Sequence, residues 1–133
     1  MRHGDYACAL LWRDGLLLLG RRSATRKTYP NAWDVIGGRV EDGETVEQAL
    51  MRELDEEIGI RPTSFRRLQT IDEPRPQVNG EARYHVFVVD RWDGGEPTMR
   101  GTEHVELRWL TVDEACGLET LAMPEYRAMF RLV

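Results

Sequence analysis

Apolar residues along this chain fall into short runs separated by polar turns. Residues 6–12 and 16–20 are two such runs, and the Asp14 and Gly15 pair between them suits a tight turn, so together they predict a β-hairpin. A polar stretch over 23–31 follows, then residues 33–36, a short buried strand expected to end at Gly37 and Gly38. Glycine has no side chain to keep a ligand away from the backbone there. From Val46 the apolar spacing turns helical. Thr45 reads as the N-cap, Gln48 completes a capping box, and Gly59 is a favoured stop, which predicts a helix over Val46–Ile58. Residues 65–71, 84–89 and 105–110 read as strands, with a turn at Asp93, Gly94 and Gly95, and residues 125–132 as a second helix after Pro124. Strands on both sides of a helix predict an α/β (α+β) fold, a mixed sheet covered by helices, with function on the loops and the main helix.

The main helix carries an anomaly. At roughly 100° per residue from Val46, the side chains of Leu50, Leu54 and Ile58 fall near about 40°, 80° and 120°, and define an apolar face. Glu57 falls at about 20°, Glu53 at about −20° and Glu56 at about −80°. Glutamates on an ordinary charged helix point away from the apolar stripe, whereas Glu53 and Glu57 lie within it. An unpaired buried carboxylate costs several kcal/mol and three close together repel one another, so cations must compensate. Arg52 alone cannot neutralise three. Oxygen ligands without a His or Cys partner favour a hard divalent ion, Mg²⁺ or Mn²⁺, over zinc, and the cluster reads as a metal site.

Composition narrows the classes. The 133 residues suit a single domain over 1–133, and fractions of 41% apolar and 31% charged suit a soluble globular chain. A net charge of −5 argues against a nucleic-acid polymer as partner, because backbone binding needs a basic field. Lys27 is the only lysine among 18 basic residues; arginine's fork suits phosphate, though a bias in genome base composition explains the excess as well. Cys8 and Cys116 lack metal-ligand spacing and read as reduced thiols. Residues 1–12 hold no leader-like apolar core and residues 16–19 are far short of the roughly 20 that span a membrane, so a cytoplasmic protein without a membrane partner is expected.

Gly38, Glu44, the run Arg52, Glu53 and Leu54, the pair Glu56 and Glu57, and the pair Gly59 and Ile60 resemble a complete Nudix box. The resemblance implies an alpha/beta/alpha sandwich and Mg²⁺-dependent hydrolysis of a nucleoside diphosphate linked to another group, with Mn²⁺ as a substitute. Glu53, Glu56 and Glu57 would hold the metal, the Gly37 carbonyl would add a ligand, and Glu53 would be the favoured base. Arg52 would orient Glu53, while Gly38, Glu44 and Gly59 would shape the loop and helix. A further acid in the loop before the last strand often assists in this family; Glu103 fits, with Glu106 as runner-up.

The chain is similar to short MutT-type members, which cleave nucleoside triphosphates to the monophosphate and pyrophosphate. Arg39 and Arg22 occupy places where such proteins contact phosphate, and Trp33 is a candidate for stacking on a base, set against an ordinary core role. The segment 121–125 lacks the asparagine with which enzymes for oxidised guanine nucleotides read the base, a departure that weakens that specificity. Pro76, at the spacing seen in ADP-ribose hydrolases, keeps a nucleoside-diphosphate derivative as the alternative substrate. A non-catalytic nucleotide-sensing module is the third reading, although such modules usually lose box glutamates. Nothing in the sequence sets an oligomeric state.

Overall fold

The structure, a computed structural model, describes residues 4–133, so the first three residues of the stretch read for a leader lie outside it. Strand β1 (Gly4–Arg13) is the spine. Residues 7–11 of β1 are all at most 5% exposed, because the strand is covered on both faces, and its run is accordingly continuous rather than alternating. Asp14 and Gly15 turn the chain with φ of 53° and 77°, the left-handed pair of a two-residue hairpin, into β2 (Leu16–Arg22).

The expected strand over 33–36 is two strands. β3 (Trp33–Asp34) pairs with β2, while β4 (Ile36–Arg39) pairs with β1. The chain changes partner at Val35, whose N–H donates to Asp34 Oδ1 at 2.8 Å instead of joining a ladder. Gly37 and Gly38 therefore lie inside β4, not beyond a strand end. A Cβ on Gly37 would run into the Ala7 carbonyl of β1, so only glycine allows this close pairing.

Helix α1 (Val46–Ile58) has the expected bounds and caps. Thr45 Oγ1 accepts from the Gln48 N–H at 3.1 Å, Gln48 Oε1 accepts from the Thr45 N–H at 2.9 Å, and Gly59 closes the helix at φ 71°. β5 (Arg61–Asp72) and β6 (Ala82–Asp93) are longer than the apolar runs within them, because β5 lies at the sheet edge and both end in solvated residues. Between them α2 (Pro76–Asn79) is a single turn. β7 (His104–Leu110) pairs with β2. α3 (Val112–Cys116) went unanticipated although Thr111 and Glu114 form a capping box. The last helix shrinks to α4 (Tyr126–Phe130), since only Tyr126, Met129 and Phe130 are buried along it.

The seven strands form a mixed sheet in which β1 runs parallel to β6 and antiparallel to β2 and β4. Cys8, Leu10, Leu17 and Leu19 face a core with Met129 and Phe130 of α4. Ala9, Leu11 and Leu18 face a second core with Leu50, Leu54 and Ile58 of α1. Period-two alternation thus gives the sheet two apolar faces, each covered by helix. Among the described residues no helix is long and apolar enough to cross a membrane.

Candidate active site

Arg52 ties the start of α1 to the loop before it. Its Nε and Nη2 donate to the two Glu44 oxygens at 2.7 and 2.9 Å, Nη1 donates to Glu53 Oε1 at 2.8 Å, and Nη2 also reaches the Arg39 carbonyl at 2.9 Å. This fork holds the Glu44 carboxyl down at about 2. Glu53, only 8% exposed, lays its carboxylate against Gly38, where a Cβ would collide with it. Burial pushes the Glu53 carboxyl up, and Arg52 pulls it back. Glu56 is the exposed member, 3.3 Å from Arg52.

One turn on, Glu57 accepts no hydrogen bond from an arginine among the described residues. Burial first, then the negative charges of Glu103 and Glu53, push it up to about 7. Its carboxylate passes over Gly101, where a Cβ would again collide. The segment between β6 and β7 is fastened to the end of α1 by main-chain bonds. The Thr98 N–H donates to the Ile58 carbonyl at 3.2 Å and the Arg100 N–H to that of Glu57 at 2.8 Å. Carbonyls that a helix end leaves unsatisfied are thereby paired, and Glu103 arrives beside the helix. Oxygens of Glu57 and Glu103 and a ring nitrogen of His104 lie within 4.8 Å of one another. Burial lowers His104 to about 4, so the ring is neutral near pH 7.

These groups fit a divalent cation. Arg52 spends both ends of its fork on Glu44 and Glu53, so among the described residues the positive charge nearest Glu57 and Glu103 is Arg26, 3.0 Å from Glu103. Clustered carboxylates without enough cations have the chemistry of a cation site, and oxygen donors select a hard ion.

A cleft of about 380 Å³, a volume typical of small-molecule sites, opens beside the cluster. Gly37, Gly38, Arg39, Arg26 and Glu103 line the cluster end, while Tyr6, Tyr84, Asn79, Met123 and Tyr126 are also part of its wall. Arg22 is buried in that wall with its donors committed. Nη1 meets Asp34 Oδ2 at 3.3 Å, Nε donates to the Thr28 carbonyl at 2.8 Å and Nη2 to Thr28 Oγ1 at 3.0 Å. Asp34 accepts in addition from the Tyr126 hydroxyl at 2.8 Å. Arg39 is exposed at the rim. Trp33 stands apart from the cleft lining, 5% exposed in the α4-side core, with the Arg108 guanidinium 4.7 Å above its ring. Glu106 is held by Arg108 at 2.7 Å and Arg21 at 3.4 Å, outside the carboxylate cluster.

Sequence reasoning missed Arg26 and His104. Arg26 sits in an irregular stretch with no period to orient it, and His104 meets Glu57 only through the fold. The glutamic acid before it was the one local signal.

The sequence profile of the NUDIX domain matches residues 1–133. The chain is 33% identical over 116 residues to the CTP pyrophosphohydrolase of Escherichia coli K12, covering 86% of this chain and 81% of that protein. It is 36% identical over 136 residues to the nucleoside triphosphatase NudI of Enterobacter sp. 638, covering 94% and 92%. The crystal structure of a MutT NUDIX hydrolase from Burkholderia pseudomallei superposes with a TM-score of 0.86 at 26% identity, covering 100% of this chain and 99% of that one.

Proposed function

The chain belongs to the NUDIX domain family and is a hydrolase, and from that premise we propose that it cleaves nucleoside triphosphates to the monophosphate and pyrophosphate with Mg²⁺. The observation that carries this reading is the position of Glu53 and Glu57. Both are largely withdrawn from water on the apolar side of α1, yet each abuts a residue that lines the cleft, Glu53 at Gly38 and Glu57 at Glu103. The two relatives named above, each more than 30% identical, bear names of enzymes acting on triphosphates, which supports the triphosphate over the ADP-ribose alternative.

Glu53, Glu56, Glu57 and the Gly37 carbonyl would hold the ion, with Glu103 completing the set. When bound, Mg²⁺ offsets phosphate charge and lowers the pKa of an attacking water. The chain's own residues do the rest. Arg52 fixes the Glu53 carboxylate by one hydrogen bond and leaves its second oxygen to take the proton of that water. Arg39 and Arg26, at the cluster end of the cleft, meet the phosphate oxygens. Tyr6 and Tyr84, with ring centroids 5.2 Å apart, offer an aromatic wall for the base.

The test is turnover of a panel of ribo- and deoxyribonucleoside triphosphates, oxidised nucleotides and ADP-ribose, with products identified. The expected result is monophosphate plus pyrophosphate from at least one triphosphate, activity abolished by a chelator, and a loss of ~10²-fold or more in kcat for Glu53→Gln and Glu57→Gln. Binding of triphosphates without turnover of any would overturn it.

A further inference from the structure

Among the described residues, His104 Nε2 is the buried side-chain nitrogen without a hydrogen-bond partner. The ring is 7% exposed at the start of β7, with its Cδ2 edge pressed on Gly20 of β2, where a Cβ would approach Cδ2 to 2.6 Å. The opposite nitrogen, Nδ1, faces Glu57 Oε2 at 4.0 Å. A neutral imidazole carries one proton, and its place decides what the ring does. A proton on Nε2 would bury a donor with no acceptor. A proton on Nδ1 points at a carboxylate and leaves only a lone pair unpaired. Unpaired buried donors are the rarer and costlier of the two.

We propose that His104 is a positioning residue whose Nδ1–H donates to Glu57, so that one carboxylate oxygen is held by the ring and the other is presented to the cation. This rests on the reading above that Glu57 is a metal ligand. At 4.0 Å the pair is about 1 Å too long for a hydrogen bond. The proposal requires a rotation of the Glu57 side chain to close that gap, and the carboxylate lies over the bare Cα of Gly101, where no side chain confines it. The competing assignment, Nδ1 as a metal ligand, forces the proton onto Nε2. Metal-bound histidines almost always donate that second N–H, and no acceptor stands there.

The test compares wild type, His104→Asn and His104→Leu by Mn²⁺ titration without nucleotide, following the spin-resonance signal of the free ion, alongside thermal melts. An asparagine amide places an N–H near the position of Nδ1–H, whereas leucine fills the apolar volume without a donor. The expected result is crossed orders: Asn binds Mn²⁺ nearly as tightly as wild type and Leu ~10-fold or more weakly, while Leu melts above Asn. Equal Mn²⁺ affinity in all three, or affinity following melting temperature, would overturn the proposal. So would nitrogen hyperfine coupling from an imidazole bound directly to Mn²⁺. If His104→Leu does not fold, ¹⁵N shifts of the wild-type ring decide: protonation at Nδ1 supports the proposal and protonation at Nε2 overturns it. A wild type that binds no Mn²⁺ removes the metal-dependent reading itself, and this inference with it.

Discussion

Glu57 and His104 stand 4.0 Å apart, and acid acts on their contributions to stability in opposite directions. Burial, Glu103 and Glu53 raise Glu57 to about 7 from an ordinary 4.5, so between those values the folded protein keeps a proton that the unfolded chain has released. That contribution is fully present below pH 4.5 and is lost as pH rises through 7. Burial lowers His104 to about 4 from 6.5, so there the unfolded chain binds the extra proton. Its contribution is complete above pH 6.5 and is lost as pH falls through 4. In wild type without divalent cations the two slopes oppose each other from pH 4.5 to 6.5. Urea unfolding across that window should therefore rise with pH more steeply for Glu57→Gln than for wild type, and less steeply for His104→Leu. Parallel curves for all three proteins would contradict the assigned shifts. At this scale the sequence was only partly legible. A helical wheel suffices to place Glu53 and Glu57 on the apolar side, because both belong to one helix. Arg22 lines the cleft as expected of a phosphate contact, but its tie to Asp34 and Thr28 is one that no period announces.

Elements whose limits are set by side-chain-to-backbone bonds within a few residues were the most legible. Helix α1 is such an element, with a capping box at one end and a left-handed glycine at the other. Gly59→Ala would force an L side chain to φ 71° and drive its Cβ against Arg100. The expected cost is ~1–2 kcal/mol, a Tm lower by roughly 3–8 °C in a scanning melt, and an unchanged Tm would show that the C-cap relaxes freely. Elements defined by their partners were less legible. β3 and β4 form one apolar run in sequence but belong to two ladders, and β5 hides half its length behind solvated side chains at the sheet edge.

For the molecule as a whole, a buried polar node borders the core covered by α4. Asp34 accepts from Arg22, from Tyr126 and from the Val35 N–H, linking β2, β3 and α4 beneath the cleft. Burial still pushes its carboxyl up, with Arg22 and Tyr126 pulling it down. Tyr126→Phe deletes one donor from a buried carboxylate and should cost ~1–3 kcal/mol in urea unfolding while raising KM for the nucleotide. Unchanged stability would mean that solvent reaches Asp34. Net charge, by contrast, spoke only of the average. A chain of −5 still gathers Arg26 and Arg39 at one end of its cleft, and that local field is created by folding.

The segment that carries Glu103 is fastened to the end of α1 by its peptide groups, through Thr98 and Arg100, while the Glu96 side chain ties it to Arg13 and Trp109. Any residue that can take up the backbone shape there supplies the same N–H. Substitution at Thr98 or Arg100 should therefore keep those bonds, whereas insertion or loss of one residue between Arg100 and Glu103 would shift the carboxylate out of reach of Glu57. Between Arg100 and Glu103, length matters more than identity, and Gly101 is the exception, because the Glu57 carboxylate occupies the space of a side chain.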